Sequence, residues 1–147
     1  MANTIRDRLL RAIKARFEAG QGGTTFSYVE FEDWTGRRLR GQNALQIVEG
    51  LETYAETMGA KALDRTIEVE LRTSLLIPRD QAPTEVTRRV LGDIEKIVME
   101  DVTWGGLAMT TRLQSNLQTL DDSSDRIVEL SVAISVQYRT RRLDPET

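Results

Sequence analysis

The stretch TIEVELRTSLLI at residues 66–77 decides the fold class, because its apolar and polar side chains alternate. Ile67, Val69 and Leu71 begin an apolar face, and Glu68 and Arg72 belong to the opposite, polar face. Alternation over this length is typical of a strand with one buried and one solvent-facing side, as in antiparallel sheets. We therefore predict a long strand here, in a mainly antiparallel sheet.

Helical patterns stand on both sides of this strand. Residues 5–17 and 83–100 repeat apolar side chains every three or four positions, and the proline at position 83 suits a first helical turn. The outer face of the first helix is basic, and we interpret it as a solvated surface or as a docking surface for an acidic partner. This basic face consists of Arg6, Arg8, Arg11, Lys14 and Arg16.

The remaining segments add strands and complete the fold. We predict strands at residues 24–31, 44–49 and 53–58, and a closing hairpin whose first strand has Leu113 and Leu117 on one face. Residues 1–147 then form a single α+β domain, in which two principal helices pack on one face of a mainly antiparallel sheet. We expect an irregular loop at about residues 20–43 and a charged tail at about residues 141–147.

Composition argues against enzymatic chemistry. The 147 residues include no histidine and no cysteine, which removes the commonest general base, the commonest metal ligand and the thiol nucleophile. The formal net charge of −3 disfavours general binding to DNA phosphates. No apolar run approaches the roughly 20 residues of a membrane span. We expect a soluble protein without catalysis, cofactor or targeting segment, made in a cytoplasm.

Acidic clusters are the remaining candidates for metal binding or acid–base chemistry. Asp121, Asp122 and Asp125 offer oxygen ligands, but their spacing does not match an EF-hand loop, so we interpret them as a solvated hairpin turn. Glu68 and Glu70 share a polar strand face, and strand alternation explains them without a catalytic role. We therefore predict no metal site and no catalytic residue.

Two tryptophans call for an explanation. Trp104 follows the second helix, and we predict that it packs in the core or against the helix end. Trp34 lies in the irregular loop, between acidic residues and the arginines Arg37, Arg38 and Arg40. Because tryptophan and arginine are enriched at interface hot spots, we predict that residues 31–42 order against a neighbouring subunit. The alternative is that Trp34 packs under its own sheet.

The second half of the chain resembles a known family. It runs from a strand at residues 67–77, through a helix at 83–100 and the turn DVTWGGLA at 101–108, to a hairpin that ends with VQYRT at 136–140. This order is similar to that of the tail terminator, or tail completion, proteins of tailed bacteriophages and prophages. In that family the turn resembles Asp-Pro-Thr-Leu-Gly-Gly-Leu-Ala and the last strand closes with Tyr-Arg-Thr.

The resemblance covers residues 65–140, and Val102 and Trp104 depart from the family's usual Pro and aliphatic residue without changing the expected fold. It implies a structural virion protein at the tail–neck junction, assembled in the host cytoplasm. Such a protein forms a hexameric ring on the tail tube, stops tube polymerisation and docks the head connector. The implied partners are copies of the chain, the tail tube protein, the head-completion or connector protein and, as a further candidate, the sheath protein. Double-stranded DNA passes only in transit through the channel, and no membrane is involved.

Site predictions follow from the ring. Glu68, Glu70 and Arg72 on the polar strand face join the loop residues as interface candidates. Candidates for lining an acidic channel, past which DNA phosphates would slide, are Glu49, Glu52 and Glu56. The alternative function is another structural protein of the neck or tail, such as a head–tail connector subunit or a tube-like protein.

Overall fold

The computed structural model describes residues 4–20, 26–32, 39–57, 61–121, 126–141 and 145–146. These residues form a mixed five-stranded sheet with two helices, and 27% of the described residues are helical and 46% are in strands. The predicted α+β fold is thereby confirmed. In chain order the elements are α1 (Ile5–Ala19), β1 (Val29–Phe31), β2 (Leu45–Glu56), β3 (Ala62–Leu76), α2 (Pro83–Glu100), β4 (Thr110–Asp121) and β5 (Ile127–Arg141).

The sheet has the order β1-β2-β3-β5-β4. Its centre is the antiparallel pair β3 and β5, which stay in register from Ala62 opposite Arg141 to Leu76 opposite Ile127. β2 and β4 pair antiparallel to these two strands on either side, and the three-residue β1 pairs parallel to β2. The long alternating stretch at residues 66–77 is therefore the core of a central strand.

Both helices pack on one side of this sheet, which we call the helix side. Leu9 and Ile13 of α1 and Ile94 of α2 are fully buried against β3 and β5 residues such as Leu71 and Ile134. Thr4 caps α1 by accepting a hydrogen bond from the Asp7 N–H at 3.1 Å. The opposite side of the sheet has no helix over it among the described residues, and we call it the open face.

Two strands depart from simple alternation. β2 is one strand rather than the two predicted, and a register shift between Glu49 and Glu52 accommodates Gly50. A second shift between Leu113 and Ser115 makes a bulge in β4. The prediction that Leu113 and Leu117 share a face was wrong, because the extra residue turns Leu113 to the helix side and Leu117 to the open face.

Residues 145–146 lie beside the first turn of α1. The Ile5 N–H donates to the Pro145 carbonyl at 3.1 Å, and Arg8 donates to the carbonyl of Glu146. The described part of the predicted charged tail therefore contacts the first turn of α1. This contact covers the N-terminal end of α1, where the first backbone N–H groups have no hydrogen-bond partner within the helix.

Candidate functional site

The open face presents the charged residues that the sequence singled out as interface candidates. Arg72 donates to both carboxylate oxygens of Glu70, at 2.8 and 3.0 Å, and the Ser131 hydroxyl donates to Glu70 at 2.5 Å. The Arg72 hydrogen bonds hold the pKa of Glu70 below its usual value, with Ser131 contributing. Glu68 lies exposed on the same face. The ionised form of Glu70 is therefore held in place by its neighbours on β3 and β5.

Leu117 divides the open face into two shallow depressions, of about 430 and 330 Å³. The larger is bordered by Gln46, Arg72 and Glu129, and the smaller by Val48 and Ala133 among others. Both are lined by a mixture of aliphatic and hydroxyl groups on regular strands. This surface offers shape and hydrogen bonds to a partner.

The three channel candidates, Glu49, Glu52 and Glu56, lie on the helix side of β2 and differ in exposure. Glu56 and Glu49 are both exposed, and Glu49 accepts hydrogen bonds from Arg6 at 2.9 and 3.1 Å. The Glu52 side chain is only 5% exposed. Solvent therefore reaches Glu56 and Glu49, whereas Glu52 is enclosed by the protein.

Glu52 is the centre of a buried charged cluster that the sequence did not reveal. Arg6 of α1 and Arg65 of β3 approach its Oε2 atom at 3.5 and 3.4 Å, and the Tyr138 hydroxyl donates to its Oε1 atom. Arg65 also donates to Thr140 at 3.0 Å. Burial, and then the hydrogen bond to Glu52, raise the pKa of Tyr138. The cluster thus ties α1 to three strands.

The DVTWGGLA turn is a packed structural element. Asp101 accepts hydrogen bonds from the Thr103 N–H, the Thr103 hydroxyl and the Gly105 N–H, at 2.9, 2.6 and 2.8 Å. Trp104 is buried and donates from Nε1 to the Thr111 hydroxyl at 2.8 Å. The predicted packing of Trp104 is confirmed. Gly105 and Gly106 continue the left-handed backbone that Trp104 begins, with φ angles of 74° and 87°.

Arg16 joins this turn to α1. Its guanidinium lies 3.7 Å from the Trp104 ring centroid and donates to the carbonyl oxygens of Asp101 and Ile97, at 2.8 and 3.2 Å. Arg16, like Arg6 and Arg8 of the same basic face, therefore contacts other parts of the chain. Within α1 itself, Arg11 pairs with Asp7 and Lys14 pairs with Glu18.

The loop prediction falls mainly outside the described residues. Trp34, Arg37 and Arg38 all lie there, as do Asp122 and Asp125 of the hairpin turn. Arg40 is described, and it is exposed in a tight turn with a positive φ of 29°. The buried Leu39 beside it anchors that turn to the protein.

The described part of the chain contains neither a cluster of metal-ligating side chains nor a membrane-spanning helix. Within residues 4–20, 26–32, 39–57, 61–121, 126–141 and 145–146, no three acidic side chains are grouped so as to hold a metal ion. In the same ranges, neither helix is long and apolar enough to cross a membrane. Compared with protein-family models and with curated proteins, the chain matches none.

Proposed function

We propose that the chain is a tail terminator, a structural virion protein that caps the tail tube as a ring, stops tube polymerisation and forms the docking surface for the head connector. The observation that carries this proposal is the arrangement of the second half of the chain. A long strand β3 leads through α2 and a compact glycine turn to the hairpin of β4 and β5, all in one sheet. This is the order on which the family resemblance rests.

The departure at Trp104 fits this arrangement. Its indole fills a buried position between α1, the turn and Thr111, where an aliphatic residue would also be buried but could not donate the hydrogen bond. The turn therefore keeps a structural function with a different side chain. Nothing in its geometry requires a bound ligand.

The charged groups also support a structural function. Glu52, Glu70 and Asp101 are each engaged by arginine or hydroxyl groups of the chain itself, so they serve to hold strands and turns in place. The open face remains as an extended surface of regular strands for contacts between subunits. Glu56 and Glu49 are the carboxylates that such a ring could direct towards DNA in transit, where acidic groups avoid holding phosphate.

A tube-assembly experiment tests the proposal. The tail tube protein of the same virus is polymerised alone and with this protein, and tube lengths are measured by electron microscopy. We expect tubes to stop growing and to carry a six-fold ring at one end. Tubes that grow unchanged would contradict the proposal, while binding along the tube or only to the head vertex would favour a tube-like or connector protein.

A charge reversal on the open face adds a matched comparison. Arg72→Glu places a second carboxylate beside Glu70, and we expect it to weaken the ring if this face contacts a neighbouring subunit. Arg79→Glu, at an exposed position in the turn before α2, is the control. Circular dichroism checks that both variants fold. Equal ring formation by the two variants would remove the open face from the interface.

A further inference from the structure

β4 is an open edge of the sheet. Within the described part of the chain, no strand pairs with its outer side, although the strand is 12 residues long. Natural edge strands are commonly short, or carry lysine, proline or a bulge that discourages pairing. β4 contains neither lysine nor proline, and beyond its bulge at Gln114 the residues from 115 to 121 form a regular strand. Three of its leucines are instead largely exposed: Leu113 at 40%, Leu117 at 68% and Leu120 at 49%.

The bulge in β4 determines which residues share a face. The open face of β4 carries positions 110, 112, 115, 117, 119 and 121. The helix side carries positions 111, 113, 116, 118 and 120. The helix side of the outer half of β4 is also free of cover, because Asn116, Gln118 and Leu120 are exposed. The outer half of β4 is therefore accessible to a neighbouring strand from both faces of the sheet.

β4 is complementary to a second copy of itself. Two antiparallel copies related by a two-fold axis at Leu117, perpendicular to the sheet, bring Leu117 opposite Leu117. Ser115 then stands opposite Thr119, and one residue of each bulge remains unpaired. Beyond the bulge, Leu113 stands opposite Leu120. Every opposed pair comes from the same face of the sheet, so both bulges are accommodated in a single register.

The leucines favour the same register. Leucines paired across two strands stabilise the pair. The neighbouring symmetric registers, with the axis at Asn116 or Gln118, place Leu117 opposite Ser115 or Thr119 instead of opposite a second Leu117. The pattern therefore favours one pairing.

We infer that the free protein forms a two-fold dimer in which β4 of one copy pairs antiparallel with β4 of a second copy about Leu117. The two sheets then join into one sheet of ten strands. This contact is isologous and closes on itself, so it does not generate a ring. The β4–β4 contact belongs to the free protein before assembly. The head-to-tail contacts of a ring use other surfaces or replace this contact.

A disulfide experiment tests the axis directly, because the natural chain has no cysteine. Residues directly opposite in an antiparallel pair have Cα atoms about 4.5–5.5 Å apart, which is within the range of a disulfide. We expect Leu117→Cys to give a covalent dimer under mild oxidation. Leu51→Cys, which replaces an equally exposed leucine on β2 (66%), should give little.

Neighbouring cysteines test the register. In a Ser115→Cys dimer, position 115 of one copy lies opposite position 119 of the other. The two cysteines are therefore four residues, or about 13 Å, apart along the strands and should not form a disulfide. A mixture of Ser115→Cys and Thr119→Cys proteins should form the mixed disulfide, because these positions are directly opposed. Cross-linking of Ser115→Cys alone would overturn the proposed register.

Sedimentation measures the association itself. Leu117→Lys places two like charges at the axis and should weaken dimerisation about tenfold or more, whereas Leu51→Lys should leave it unchanged. Circular dichroism confirms that both exposed-site variants fold. A wild-type protein that stays monomeric at the highest attainable concentration, or equal effects of the two variants, would overturn the inference. Normal capping of tubes by Leu117→Lys would leave the proposed function intact whichever result is found.

Discussion

At the scale of single residues, Glu52 has the largest expected effect on stability. Its carboxylate is almost completely buried and accepts from Arg65, Arg6 and Tyr138. Removing one partner of a buried ion pair leaves the other charge uncompensated. We therefore expect Glu52→Ala to lower the free energy of unfolding by about 3 kcal/mol, measured by chemical denaturation.

Glu56→Ala is the matched control, since Glu56 lies on the same side of the same strand but is exposed. Substitutions at exposed positions usually change stability by less than about 0.5 kcal/mol. If both variants lost the same stability, the cluster around Glu52 would not be a specific stabilising feature.

Alkaline pH should weaken the same cluster. The pKa of Tyr138 is raised by burial and by its hydrogen bond to Glu52, so the folded state keeps the phenol neutral where the unfolded chain ionises it. The stabilisation that the neutral Tyr138 phenol contributes is fully present below pH 10 and is lost as the pH rises above that value. Tyr138→Phe should flatten the fall in melting temperature above pH 10; an unchanged slope would assign that fall to other groups.

Acid should act on the turn after α2. Hydrogen bonds from Thr103 and Gly105 lower the pKa of Asp101 from 3.8 to about 2. A depressed pKa contributes stability that is present above the unfolded value and is lost as the pH falls towards the folded one. The difference in melting temperature between wild type and Asp101→Ala should therefore shrink between pH 3.8 and about 2. A constant difference over that window would contradict this assignment.

The sequence could not predict these residue contacts. Glu52 was a channel candidate because it lies among acidic residues along the chain, yet Arg6 and Tyr138, its partners, are 46 and 86 positions away. Arg16 was read as part of a basic helix face, and its contact with Trp104 depends on how α1 crosses the end of α2. Such pairings depend on the packing of whole elements, which local periodicity does not specify.

At the scale of elements, alanine substitutions at two glycines should change the stability of the protein in opposite directions. Gly92 lies inside α2, and a Cβ atom added there meets nothing within 4 Å. Gly92→Ala should therefore raise stability by about 0.5–1 kcal/mol, because alanine has the better helix propensity.

Gly50 lies in the β2 irregularity, where a Cβ atom would be 3.0 Å from the Glu68 carbonyl oxygen. Gly50→Ala should lower stability by about 1 kcal/mol. Thermal melts compare the two, and a gain at both positions would refute the crowding at Gly50.

The elements themselves were largely predictable. The two helices and β3 have strong periodicity, and α2 begins and ends where its proline and apolar pattern indicate. β2 and β4 were less predictable, because a single inserted residue reverses the alternation without changing the composition. The bulge at Gln114 could be found only from the register with β5.

At the scale of the whole molecule, the sheet order predicts a gradient of hydrogen exchange. β3 and β5 are paired over 15 residues each and bordered by strands on both sides. Their amides should exchange most slowly, through global unfolding. In β4, amides directed away from β5 should exchange fast in a monomer and slowly in the β4 dimer. A concentration-independent pattern in β4 would contradict the dimer.

The position of α1 has a consequence for how the protein is made. α1 is translated well before these partners: Asp101 and Trp104 for Arg16, Tyr138 within the cluster around Arg6, and Pro145 for the helix start. At about 5–20 residues per second, the ribosome needs roughly 6–25 s to add the intervening segment. The amphipathic helix therefore waits with its apolar face exposed until the hairpin emerges. Its docking should be among the last steps of folding, completed only after the C-terminal strand has left the ribosome.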